Sequence, residues 1–120
     1  MQKNIKIPLF PLNLVVLPKE KVPLHIFEEK YKKMISDCIK NNKAFGIIHM
    51  KDNRIENIGC SMNIYKVLKE YSNGEYDIVC KGIRRFKIHK IDKQNQLWHA
   101  DVSFLSEDYQ SIKKNTLIKS

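Results

Sequence analysis

Four prolines, Pro8, Pro11, Pro18 and Pro23, fall inside one nearly continuous apolar run and nowhere else in the 120 residues. Proline locks φ and lacks a backbone donor, so this run cannot be one long element. It reads as two short, interrupted strands. From Phe27 the period changes. Phe27, Tyr31, Met34, Ile35, Cys38 and Ile39 fall at i, i+4, i+7, i+8, i+11 and i+12, one stripe of an amphipathic helix. Lys30, Lys32, Lys33, Asp37 and Lys40 take the opposite face. Glu28 and Glu29 complement the N-terminal end of the helix dipole and Lys40 the C-terminal end. Asn41-Asn42 supplies a left-handed stop.

The remainder reads as strands. Ala44 to Met50 is an apolar run of strand length, turned by Lys51 to Arg54. Ile58, Cys60, Met62 and Ile64 alternate with Gly59, Ser61 and Asn63, a half-buried strand. The phase flips at Tyr65 and Val67, which marks a bulge or a bend. Ser72-Asn73-Gly74 is a hairpin signal between Tyr71 and Tyr76. Tyr76, Ile78 and Cys80 alternate, Gly82 interrupts, and Phe86 and Ile88 resume. After a turn at Lys93 to Gln96, Trp98, Ala100, Val102 and Phe104 alternate with His99, Asp101 and Ser103. The expected fold is mainly β with one packed helix, a small bent barrel of about six or seven strands. Residues 1–105 form this domain. Residues 106–120 are a polar tail with weak periodicity at Ile112, Leu117 and Ile118, expected to be a frayed helix or disordered, or the stub of a truncated helical subdomain.

Charge supplies a competing clue. Lys and Arg total 22 against 13 acids, a net charge of +9, which invites a nucleic-acid reading. Arginine, the residue suited to bidentate grip on phosphates and bases, makes up few of these cations. The lysines are also spread along the whole chain, which fits the compositional bias of an A·T-rich genome. No apolar stretch reaches the ~20 residues of a membrane span. The N-terminus lacks a small-residue cleavage site, so no signal peptide is expected, and cytoplasmic is the default. Cys38, Cys60 and Cys80 contain no C-x-x-C pair and fit buried thiols.

The proline run closely resembles the opening of the Lon N-terminal, or substrate-binding, domain family. That family's pattern is P-L-F-P-L, a strand ending in Leu-Pro, then P-L-x-I-F-E-x-x-Y. Here these are Pro8, Leu9, Phe10, Pro11 and Leu12; Leu17-Pro18; and Pro23 through Phe27 and Glu28 to Tyr31. A second signature, G-x-x-R-F, appears as Gly82, Arg85 and Phe86. The family has Gly after Leu-Pro, where this chain has Lys19, and Arg before the Tyr, where it has Lys30. The resemblance covers roughly residues 5 to 105 and implies a PUA-like pseudo-barrel with one helix packed against it. It also implies a stand-alone Lon domain without ATPase or peptidase modules.

The residues themselves offer no catalytic set. A phosphate-cradling loop needs G-x-x-x-x-G-K-[ST], and none of the four glycines, 46, 59, 74 and 82, precedes a lysine. No serine sits in a recognisable nucleophile elbow. His25, His49, His89 and His99 lack metal-ligand spacing. Neither a metal nor a cofactor is expected, and the chain reads as a non-enzyme.

The resemblance implies non-catalytic recognition of unfolded or extended polypeptide, with a role in proteolysis or protein quality control among those it admits. A barrel with an open edge can bind such a segment by adding a strand. Candidate contacts are Leu14, Val16, Tyr65, Tyr71 and Tyr76, which strand phase does not place inside; a core position is an equal reading for each. Signature residues Glu28 and Arg85 read as an ion pair tying the helix start to the barrel, with a contact of ~4 Å or less. The alternatives are an RNA-binding PUA-like domain using Lys81, Arg84, Arg85, Lys87 and Lys90, and an adaptor barrel with one specific protein partner. A monomer or weak dimer is expected.

Overall fold

In the computed structural model, which describes residues 4–93 and 96–106, the chain runs β1 (Ile5–Leu12), β2 (Lys21–Ile26), α1 (Glu29–Asn41), β3 (Phe45–Lys51), β4 (Arg54–Glu70), β5 (Tyr76–Asp92) and β6 (His99–Phe104). The strands form one sheet in the order β2-β5-β4-β3-β1-β6, and β6 also pairs with β5. The sheet therefore curls back and partly closes, as the expected mainly-β barrel with one helix requires. Among the described residues only the β1–β3 pairing is parallel. The tail beyond Ser106, with Ile112, Leu117 and Ile118, lies outside the described residues.

Two prolines sit inside β1, contrary to the expectation that prolines would interrupt it. The strand changes partners midway. Ile5–Pro8 pair antiparallel with β6 and Leu9–Leu12 parallel with β3. The Leu9 amide donates to the Trp98 carbonyl at 2.9 Å. Because amides alternate along a strand, the Pro8 nitrogen faces the β3 side, where pairing begins only at Leu9. The Pro11 nitrogen faces the β6 side, past the end of that ladder. Neither site needs a donor. Pro23 sits on the edge strand β2, where a missing N–H is tolerated.

The helix buries Tyr31, Met34, Ile35 and Cys38 and ends at Asn42, which is left-handed (φ 51°, ψ 47°). Two members of the expected stripe are not buried. Phe27 precedes the helix and is 60% exposed, and Ile39 is on its margin. Helix and barrel are joined through aromatic signature residues. The rings of Phe10 and Tyr31 stack with centroids 4.1 Å apart, inside a cluster that includes Ile26, Ile35, Phe45, Met62 and Ile78. A second cluster fills the closed end: Ile7, Leu9, Ile48, Phe86, Ala100 and Val102.

Turn chemistry follows the sequence. Asp52 and Asn53 both take positive φ between β3 and β4, and Gly74 (φ 90°) turns β4 into β5. The phase flip at Tyr65 is a register shift between Ile64 and Lys66. Gly82 does not break its strand. It lies within β5 because the segment Leu17–Glu20 presses on it: Lys19 N–H donates to the Gly82 carbonyl and Gly82 N–H to the Glu20 carbonyl, each at 2.8 Å. A Cβ there would collide with the Leu17 carbonyl oxygen, so only glycine permits the approach.

Candidate functional site

Beyond the closed end, β4 and β5 continue as a long arm. β4 pairs with β3 only through Met62, and from Asn63 to Glu70 only its β5 side is paired among the described residues. This outer edge exposes Tyr65, Val67 and Leu68. It contains no proline, so every residue keeps its amide donor. An unpaired stretch of this length is a template for another strand, and lysines at Lys66 and Lys69 moderate self-pairing. β2 also leaves one side unpaired, but Pro23 removes a donor from that shorter edge.

A basic cluster stands at the root of this edge. Lys21 lies directly opposite Lys81, which lies opposite Asn63. Like charges facing across a ladder repel. Here both ammonium groups turn toward the exposed Tyr65 ring, Lys21 at 4.2 Å and Lys81 at 6.0 Å from its centroid. Lys21, followed by Lys81 and Lys66, holds the Tyr65 phenol below its usual range. None of these three lysines has a carboxylate within 4 Å among the described residues. The neighbouring acids are engaged elsewhere: Glu20 Oε1 accepts from Leu17 N–H, and Glu75 and Asp77 serve the hairpin tip.

That tip is stitched to the elements beside it. His25 places Nδ1 2.6 Å from Asp77 Oδ1 and Nε2 2.9 Å from Glu75 Oε1. Tyr71 O–H donates to Asp77 Oδ2 at 2.5 Å, and Lys32 Nζ donates to the Asn73 carbonyl at 2.9 Å. The Asp77 hydrogen bond, then Glu75, raises the His25 imidazole above its ordinary value. The arm is held at both its root and its tip.

The sequence-derived contacts divide among three places. Tyr65 is exposed on the arm, and Tyr71 is half-buried at its tip. Leu14 and Val16 meet Arg85 elsewhere, in a groove of about 280 Å³ that His49, Glu56 and Ile58 also line. Val16 and Tyr76 are buried in the helix-side core, so of the two readings offered for them the core position holds and the polypeptide contact is corrected. The β2–β5 register pairs Ile26 with Tyr76 and leaves Tyr76 under the helix.

The Glu28–Arg85 ion pair is also corrected. Glu28 Oε2 is 4.0 Å from Lys30 Nζ. The register sets Glu28 beside the start of β5, and Arg85 lies nine residues along that strand from Tyr76, about 30 Å of chain at strand rise.

The basic set around the second signature does not form one surface. Lys81 belongs to the Tyr65 cluster. Arg84 stacks over Phe104 at 4.7 Å and donates to the Leu105 carbonyl. Lys87 is exposed further along β5, and Lys90 lines a separate cleft with Lys6, Lys93, Asp92 and Asp101. Among the described residues no group of three or more His, Cys, Asp or Glu side chains could hold a metal, and no helix is long and apolar enough to cross a membrane.

Sequence reasoning missed Lys21, Lys66, Val67 and Leu68. The phase flip at Tyr65 was the signal for Lys66, Val67 and Leu68, because after it apolar residues fall on both faces of the strand; Lys21, on β2, had no local signal.

Comparison with known proteins places this geometry in context. A family model described as the ATP-dependent protease La (LON) substrate-binding domain matches residues 6–120. The chain is 28% identical over 122 residues to Lon protease of Buchnera aphidicola subsp. Baizongia pistaciae, covering 90% of this chain and 16% of that protein. It is 22% identical over 112 residues to Lon protease 2 of Syntrophobacter fumaroxidans, covering 86% and 14%. The chain thus spans a small part of the curated relatives it matches. The crystal structure of a Lon N-terminal domain protein from Xanthomonas campestris superposes with a TM-score of 0.76 at 26% identity, covering 85% of this chain and 60% of that one. The N-terminal domain of Mycobacterium avium complex Lon protease shares the fold at a TM-score of 0.66 and 19% identity, covering 86% and 56%.

Proposed function

The chain belongs to the substrate-binding domain family of the ATP-dependent protease La (Lon), and from that premise we propose that it recognises extended polypeptide without catalysis, docking it as an added strand along the outer edge of β4. The open ladder from Asn63 to Glu70 carries this reading. Backbone groups there would supply sequence-independent hydrogen bonds, and Tyr65, Val67 and Leu68 an apolar surface for alternate side chains. Such docking needs neither a nucleophile nor a metal.

The reading is tested by fluorescence anisotropy with a labelled unstructured, apolar-rich polypeptide and a labelled single-stranded RNA. Each is titrated at about 50 and 200 mM salt, a span over which phosphate-driven binding falls steeply. Saturable polypeptide binding that Tyr65→Ser/Leu68→Ser weakens, with the melting temperature kept, is the expected result. Salt-sensitive RNA binding alone would replace this function with a nucleic-acid one. Binding to neither ligand, with tight stoichiometric capture of one folded partner, would make the chain an adaptor.

A further inference from the structure

We infer that the Lys21–Lys81–Tyr65 cluster is a carboxylate seat, so that the polypeptides taken by the β4 edge are those carrying Asp or Glu beside their apolar residues. This rests on the docking reading above and names the substrate class for that same edge.

Three observations on different elements carry it. First, Lys21 and Lys81 are direct cross-strand partners, an arrangement that costs free energy unless an anion offsets it. Second, Lys21, Lys81 and Lys66 have no carboxylate within 4 Å among the described residues, as is true of most lysines in this chain, so no acid of the fold already occupies the spot where the first two converge. Third, both ammonium groups lie within about 6 Å of the Tyr65 ring centroid, Lys21 at 4.2 Å and Lys81 at 6.0 Å. Such cation–π contacts are weak at an exposed site. They nevertheless restrict two long side chains before any ligand arrives, which lowers the ordering cost of binding.

The cluster also lies where a docked strand would need it. Asn63, opposite Lys81, is the first residue of the open edge. A strand added to β4 runs about 4.8 Å away, and its outward-facing side chains share the face of Tyr65. A flexible carboxylate can there meet flexible lysines. Phosphate chains are served less well. The arginines that would grip them bidentately stand away from this cluster: Arg84 lies over Phe104 and donates to the Leu105 carbonyl, Arg85 lines the groove of Leu14 and Val16, and Arg54 begins β4 beside Asp52 and Glu56.

The test uses two labelled extended peptides, identical except that the acidic positions are Glu in one and Gln in the other, with wild-type protein and the Lys21→Gln/Lys81→Gln variant. At about 50 mM salt the Glu peptide is expected to bind wild type roughly five- to tenfold more tightly, the effect of two exposed charge pairs. That preference disappears in the variant, while binding of the Gln peptide persists and reports that the variant is folded. Equal wild-type affinities would overturn the seat and leave the edge intact. Failure of both peptides to bind wild type would overturn the edge and the seat together. A single-stranded RNA that displaces the Glu peptide and loses affinity in the variant would reassign the cluster to phosphate.

Discussion

Gly59 stands directly opposite Phe86 across β4 and β5, and a Cβ on Gly59 would lie 2.5 Å from Phe86 Cζ. Gly46, on β3, meets the same ring at 2.7 Å. The aromatic residue of the second signature is thus fully buried over two glycines whose missing side chains make its space. Gly59→Ala is expected to destabilise the fold by about 1–3 kcal/mol through overpacking. Pairing it with Phe86→Leu should recover about 1 kcal/mol relative to the sum of the single effects, because the two sites share one volume. Urea denaturation of the four proteins measures this. Strict additivity would show that the ring is not what the new methyl meets.

Lys19 occupies a glycine conformation. The turn Leu17-Pro18-Lys19-Glu20 closes with Glu20 N–H donating to the Leu17 carbonyl at 3.1 Å, and Lys19 has φ 74°. Proline at the second position and positive φ at the third define a type II turn, which favours Gly at that third place. Lys19→Gly relieves the left-handed penalty but adds chain entropy to the unfolded state. A net gain of about 0.5 kcal/mol is expected, read as a higher urea midpoint with unchanged slope. A lower midpoint would mean that the lysine side chain contributes more than its backbone costs.

The three cysteines are expected to be inert in the folded protein. All are buried, and burial pushes the Cys38 and Cys60 thiols up to about 11 and Cys80 to about 12. The thiolate is the reactive form, so a thiol-specific chromogenic reagent at pH 8 should give almost no signal until denaturant is added, and then three equivalents. Rapid labelling of native protein would contradict the packing of α1 at Cys38, of β4 at Cys60 or of β5 at Cys80.

Much of this fold was legible because periodicity and turn residues report local structure. The helical stripe, Asn42, the Asp52-Asn53 turn, Gly74 and the bulge at Tyr65 all follow from residues close in sequence. What escaped was set by long-range register. Whether Val16 and Tyr76 face water or core depends on where α1 packs. Whether Glu28 reaches Arg85 depends on which end of β5 meets β2. The two prolines of β1 are tolerated only because its partner changes from β6 to β3, which no local pattern encodes. The like-charged Lys21–Lys81 pair was hidden for the same reason, since its members are sixty residues apart in the chain.

The hairpin tip should loosen as pH rises through the raised His25 value. Donation from the imidazole N–H groups to Asp77 and then to Glu75 raises the His25 value above 6.5, so the stabilisation it gives is complete below 6.5 and is lost as pH rises through the raised value. Asp77 is shifted the other way. Tyr71, and then His25, lower it from 3.8, so its contribution is present above 3.8 and is lost as pH falls through the lowered value. The tip is therefore firmest between these two limits. Lys69 beside Asp77 and Tyr71, and Lys32 with Glu29 on α1, also face this corner. An NMR titration of the His25 ring should give a midpoint above 6.5 that Asp77→Asn moves downward. Over the same range the Tyr71 amide, which donates to the Glu75 carbonyl at 2.9 Å, should lose hydrogen-exchange protection in wild type, with little pH dependence in His25→Gln. A His25 midpoint at or below 6.5 would show that the imidazole does not hold its two carboxylates in solution.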